Sequence, residues 1–148
     1  MHLPTGGPVP LPAASLVAWL TRLGWDVRQE YGAPIVPGPY VPPEPDRCVI
    51  VTAVPGPGYV LEGDGDAGAF QARVRGGQND QADAEGLAYL LDSMILGASF
   101  PAVTPSGQVI IHIHRLGGTP SPLAAGPDSG DRYEMVASYL VISGVVTA

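Results

Sequence analysis

Two histidines one residue apart, His112 and His114, are the first side chains in this sequence that could do chemistry. On a strand they share a face, and a His-x-His pair can hold zinc. Structural zinc takes four ligands, and neither a Cys-x-x-Cys nor a His-Glu-x-x-His accompanies the pair. The simpler reading is a polar or interface-facing side of a strand. The acidic turn Asp64-Gly65-Asp66 raises calcium. An EF-hand loop needs further oxygen ligands and a Glu at its twelfth position. Counted from Asp64 that position is Arg75, so the turn reads as a solvated hairpin tip. The single cysteine, Cys48, cannot form an internal disulfide. It adjoins Val49-Ile50-Val51 with no histidine or basic cluster to lower its pKa, and reads as a buried, inert thiol.

The remaining catalytic patterns fail on composition. The chain has no lysine, which removes a phosphate-cradling Walker loop. It has no Gly-x-Ser-x-Gly elbow, and nothing singles out a pair of carboxylates for acid–base work. The expectation is a chain that is not an enzyme and takes no cofactor and no metal. A small-ligand-binding or hydrolytic domain built on His112, His114 and an unassigned carboxylate is the alternative from another class.

All seven basic residues are arginines, and the net charge is −7. Scattered arginines in an acidic chain argue against gripping nucleic acid by its backbone, which needs a basic patch. Arg73 and Arg75 flank Val74, so both project from one face of a strand and extend a polar row begun by Gln71. Such a row can pair with carboxylates of a neighbouring copy. Arg73 and Arg75 are therefore the candidate subunit-interface residues.

These side chains must be positioned by the elements around them. At 148 residues the chain fits one domain, which buries roughly 70% of the surface its unfolded form exposes. Residues 1–12 read as a Pro/Gly-rich arm. The spacing of Leu16, Leu20 and Leu23 predicts a helix over 13–23 that stops at Gly24. Trp25 to Val27 reads as a short strand. Prolines at 34, 37, 39, 42, 43 and 45 make residues 32–45 an extended connection, too apolar to hang free. Arg47 to Val54 is a buried strand. Ala69 to Arg75 alternates, with Phe70, Ala72 and Val74 inward. Asn79 or Asp80 caps a second helix whose core stripe is Leu87, Leu90, Leu91, Met94 and Ile95. Val109 to His114 is a further strand. Residues 116–130 read as a loop. Tyr133 to Val146 closes the chain as a long strand. The expected fold class is α+β, a mostly antiparallel sheet of about four to five strands with two helices packed on one face. No segment approaches the roughly 20 apolar residues that span a bilayer. The opening Met1-His2-Leu3-Pro4 lacks the pattern of a secretory signal, so synthesis and use in a cytoplasm are expected.

One stretch carries a resemblance. Phe70-Gln71-Ala72-Arg73-Val74-Arg75-Gly76-Gly77, then Asn79-Asp80 and Ala84-Glu85-Gly86-Leu87-Ala88, resembles the middle of tail terminator proteins of long-tailed bacteriophages, often labelled minor capsid or minor tail proteins. Gly126-Pro127-Asp128, with Gly130-Asp131-Arg132-Tyr133-Glu134 leading into the last strand, is similar too. The resemblance spans about Leu16 to Val146 and rests on a strand end and a helix cap, without catalytic residues. It implies a virion protein, made in the host cytoplasm, that forms a hexameric ring on the head-proximal end of a tail tube. The implied partners are further copies of the chain, the tail tube protein and a head–tail connector or stopper protein, with DNA passing through the lumen unbound. Another neck component or a tube subunit is the nearest alternative. In such a ring, acidic groups at the inner wall would repel phosphates across less than a Debye length of about 8 Å. The hairpin carrying Glu62, Asp64 and Asp66 is therefore expected to face the lumen or the tube.

Overall fold

The computed structural model describes residues 11–25, 32–54 and 66–144. Helix α1, Ala13–Leu23, follows an extended Pro12 and ends where Gly24 takes φ +125°. It buries Leu16, Trp19 and Leu20. Trp25 is buried beyond the helix end and outside any strand; its indole N–H donates to the Ala33 carbonyl at 2.8 Å. The strand expected at Trp25 to Val27 otherwise lies outside the described residues.

Six strands follow: β1 Ile35–Pro37, β2 Cys48–Val54, β3 Asp66–Gln78, β4 Ala102–Val103, β5 Val109–Pro122 and β6 Arg132–Gly144. Helix α2, Gln81–Leu96, lies between β3 and β4. Its N-cap is Asp80, whose side chain accepts from the Asp83 amide at 3.0 Å, satisfying one of the first-turn donors. The strands form one sheet in the order β1-β2-β3-β6-β5-β4. The last strand, β6, is thus inserted between β3 and β5.

Alternation sorts the sheet into two faces. Val49 and Val51 of β2, Phe70, Ala72 and Val74 of β3, and Met135, Ala137, Tyr139 and Val141 of β6 lie in register across one face. They join Leu16, Trp19 and Leu20 of α1 and Ala84, Leu87, Ala88, Leu91 and Ile95 of α2 in a single buried cluster. Both helices therefore cover the same face. Gly76 permits the close approach of α2 to β3: a Cβ there would lie 2.6 Å from the Ala84 backbone nitrogen.

The expectation of a mostly antiparallel sheet of four to five strands is overturned. The sheet has six strands, is mixed because β1 runs parallel to β2, and curls into a half-barrel. Three local causes hid this. β1 sits inside the proline-rich stretch, where Pro34 serves the ladder by its carbonyl, accepting from Val49 at 2.8 Å. β4 has only two residues. β5 continues through Gly117-Gly118-Thr119-Pro120, read as loop, because a register shift between Leu116 and Ser121 absorbs the extra residues.

Candidate docking surface

The face of the sheet away from the helices is covered on its β2–β3 half by the chain itself. Residues 38–46 leave β1, cross this face as a strap and re-enter the sheet at β2. The crossing starts at Gly38, whose amide donates to the Val51 carbonyl at 2.7 Å. A Cβ at Gly38 would run into Thr52 Oγ1 and Ile50.

Two arginines hold the strap by its carbonyls. Arg75, only 2% exposed, donates to the carbonyl oxygens of Asp46, Pro42 and Pro45 at 2.6 to 2.7 Å. Proline lacks the N–H that would pair with a sheet but keeps its carbonyl, and a guanidinium carries enough donors to satisfy several at once. Arg132 donates to the Pro43 carbonyl at 2.7 Å and to Asp128 at 3.2 Å. Burial works to raise the Asp128 pKa. The amides of Arg132 and Gly130 and the charges of Arg132 and Arg75 outweigh it and hold the carboxyl below its ordinary value. Beneath the strap lies Cys48, fully buried; burial pushes its thiol pKa up. The thiolate is disfavoured, so the group is inert.

Arg73 forms a two-pronged ion pair with Glu134 of β6, at 2.9 and 2.7 Å. Its side chain stays 35% exposed. The two candidate interface arginines thus share a strand face but differ in placement. Arg75 is enclosed and fully engaged within its own chain, whereas Arg73 keeps an outward edge. Glu62 and Asp64 lie outside the described residues, and Asp66 opens β3 opposite Ser143.

Among the described residues, no segment crosses the β5–β6 half of the same face. Ile111 and Leu116 of β5 are exposed, and Val136, Leu140 and Ile142 of β6 are half-buried. His112 and His114 stand among them, both exposed, opposite Ile142 and Leu140, their ring centroids 4.3 Å apart. His112 also meets Phe100 edge-on at 5.4 Å, and Phe100 meets Trp19 of the core at 5.8 Å. Among the described residues no group of three or more His, Cys, Asp or Glu converges on a metal position. Among the described residues, only the short β4 pairs with the outer edge of β5. The Leu123 amide donates to the Glu134 carbonyl at 2.9 Å. Alternation along β6 from that point, with the register of β5, turns the backbones of His112, His114 and Leu116 toward β6. The backbones of Ile113 and Arg115 therefore face outward, and β4 pairs only with Val109 and Ile110.

One buried polar cluster escaped the sequence reading. Asp92 of α2 accepts from Tyr139 Oη at 2.7 Å and from Arg115 at 2.6 Å, joining α2, β5 and β6. Burial, then the Asp92 carboxylate, pushes the Tyr139 pKa far above its ordinary value. The signal was present: Asp92 continues the row Ala84, Ala88 along the buried face, and an acidic residue in an apolar row needs partners. The space beside this cluster, between Ala72, Val74, Leu91 and Met135, is too narrow for a water molecule and is walled by apolar groups. It is a packing gap without the convergent polar groups of a ligand site.

No family model and no curated protein matches this sequence. Among solved structures, a chain of the virion of a native gene transfer agent particle has a similar fold, with a TM-score of 0.59 and 16% sequence identity. The match covers 91% of this chain and 98% of that one.

Proposed function

We propose that this chain is a structural virion protein that forms a ring at the head-proximal end of a phage-like tail tube. There it would end tube growth and present the surface that joins the head, with DNA passing through its lumen. Its partners are further copies of itself, the tube protein and a connector or stopper protein, and it acts without catalysis or a cofactor. The observation that carries this reading is the fold likeness to a chain of an assembled virion, extending over almost all of that chain. The tail-terminator resemblance of residues 70–88 narrows it from virion component to ring. The β5–β6 face supports it: no described segment crosses it, and Ile111 and Leu116 stand exposed on it beside His112 and His114, a surface suited to contact. Arg73, with its outward edge, remains a candidate for the boundary between copies.

Cryo-electron microscopy of tails carrying this chain tests the proposal. A single ring of it at the head end is expected. A stacked tube of this chain would replace the terminator with a tube subunit, and its absence from the particle would end the virion reading.

A further inference from the structure

We infer that the strap of one copy docks on the β5–β6 face of the next, so that copies join head to tail. The inference rests on the reading that this chain assembles with itself, and deepens it by naming the contact. Strap and patch lie toward opposite ends of the sheet order β1-β2-β3-β6-β5-β4. They are also chemically unlike. The strap presents Tyr40, 71% exposed, with the exposed carboxylate of Glu44, while Asp46 lies 3.4 Å from Arg132 of its own chain. The patch presents Leu116, Ile111, His112 and His114, and the carboxylate of Glu134 on that face is held by Arg73. Each surface supplies what the other lacks. An exposed tyrosine is a rigid aromatic anchor of the kind that dominates contact energies, and the aliphatic side chains of β5 and β6 give it a floor. Imidazole N–H groups can donate to the Glu44 carboxylate. A second copy therefore fits the patch in polarity and in hydrogen-bonding capacity.

The geometry has a consequence for assembly. A self-complementary patch would pair two copies about a two-fold axis and stop. Strap and patch lie on one face of the sheet, so a two-fold pairing would seat both straps at once and stop at a dimer; the curl of the sheet turns its β2 and β5 sides apart, which favours one strap per contact and leaves each copy's own patch free. Contacts of this heterologous kind propagate, and close into a ring when the rotation between copies allows it. The arginine clamps give the strap a fixed shape before docking, which lowers the ordering cost of association.

Cysteine cross-linking of the full chain tests this. Pro43→Cys and Thr119→Cys, exposed positions near Tyr40 and Leu116 that leave both in place, are made in separate chains and mixed under mild oxidation; native Cys48 is buried and stays out of the reaction. Both sites are exposed, and unchanged melting curves establish that the variants fold. The mixed disulfide is expected well above its random share relative to the two homodisulfides. Adding His114→Asp to the Thr119→Cys chain sets a carboxylate against Glu44, and should cut the mixed product several-fold. A random distribution, or a preference for either homodisulfide, would overturn the contact. Sedimentation of the wild-type chain separates the two readings. Rings without the mixed disulfide leave assembly standing and remove this contact. The mixed disulfide without rings keeps the contact and removes the ring.

Discussion

Arg75 and Tyr139 show how much a single enclosed polar group does here. Arg75 satisfies three carbonyls of the strap. Arg75→Ala would remove three hydrogen bonds from a charged group, worth about 1.5–3 kcal/mol each before relaxation and exposure to water. A loss of about 3 kcal/mol or more in denaturant unfolding is expected, together with faster labelling of Cys48 by thiol reagents as the strap lifts. Lysine should not restore the wild-type behaviour, because its single ammonium cannot spread over three acceptors as a guanidinium does. Tyr139 donates its hydroxyl proton to Asp92, and its folded pKa is raised. The stability that goes with this is complete below the unfolded tyrosine value of about 10. It falls as pH rises beyond that, since the unfolded chain releases the proton while the folded one keeps it. Melting temperatures measured upward from about pH 9 should drop more steeply for the wild type than for Tyr139→Phe. A parallel decline would show that the hydroxyl plays no such part.

At the scale of elements, the join between β3 and α2 is tight at Gly76. Gly76→Ala forces a methyl against the Ala84 backbone and should cost about 1–3 kcal/mol, as overpacking does. The mutation Gly77→Ala, where the nearest atom is the Asp83 carboxylate at 3.5 Å, should cost less. Leu91, 1% exposed beneath α2, should lose about 2–5 kcal/mol on truncation to alanine. Thermal melts of the three variants give the order directly. The sequence reading ended this strand at Gly76-Gly77, yet β3 runs on to Gln78 past a register shift after Arg75; the need for Gly76 was not legible either, because the pressing atom belongs to the next element. The same holds more widely. The bounds of α1 were readable because its leucines repeat at helical spacing, although Leu23 of that row is exposed and Trp19 is buried instead. The inward rows of β3 and β6 were readable because Phe70-Val74 and Met135-Val141 alternate. β1 and the far end of β5 were not, since proline and glycine signal loops by local preference, and the pairing that makes them strands comes from β2 and β6. The candidate surface was legible only in part. Arg73 and Arg75 were visible as a row, yet the strap that encloses Arg75 is a tertiary fact. The patch around His112 and His114 depends on β6 lying beside β5.

For the molecule as a whole, acid should loosen the strap side first. Asp128 has a lowered folded pKa, because the Arg132 and Gly130 amides and nearby arginines favour its charged form over the opposing effect of burial. Its contribution is present above the unfolded aspartate value of about 4 and fades as pH falls through the lower folded value. Hydrogen exchange at descending pH should expose amides near Cys48 and residues 128–132 before those of α2. Asp128→Asn should remove the difference. Simultaneous opening of both regions would place the acid-sensitive groups elsewhere.

The central position of β6 has a bearing on how the chain comes into being. Every residue pair between β3 and β6 joins segments more than fifty positions apart, as Ala69 with Leu140 and Arg75 with Glu134. Until β6 leaves the ribosome, β3 has one neighbour and β5 has almost none. The nascent chain up to residue 131 is therefore two loose fragments with their apolar faces bare. Folding must wait for the last strand and is slowed by these distant pairings. Arrest peptides placed behind successively longer stretches of the chain, from the end of α2 to beyond residue 144, should register a single late folding event and none at the end of α2.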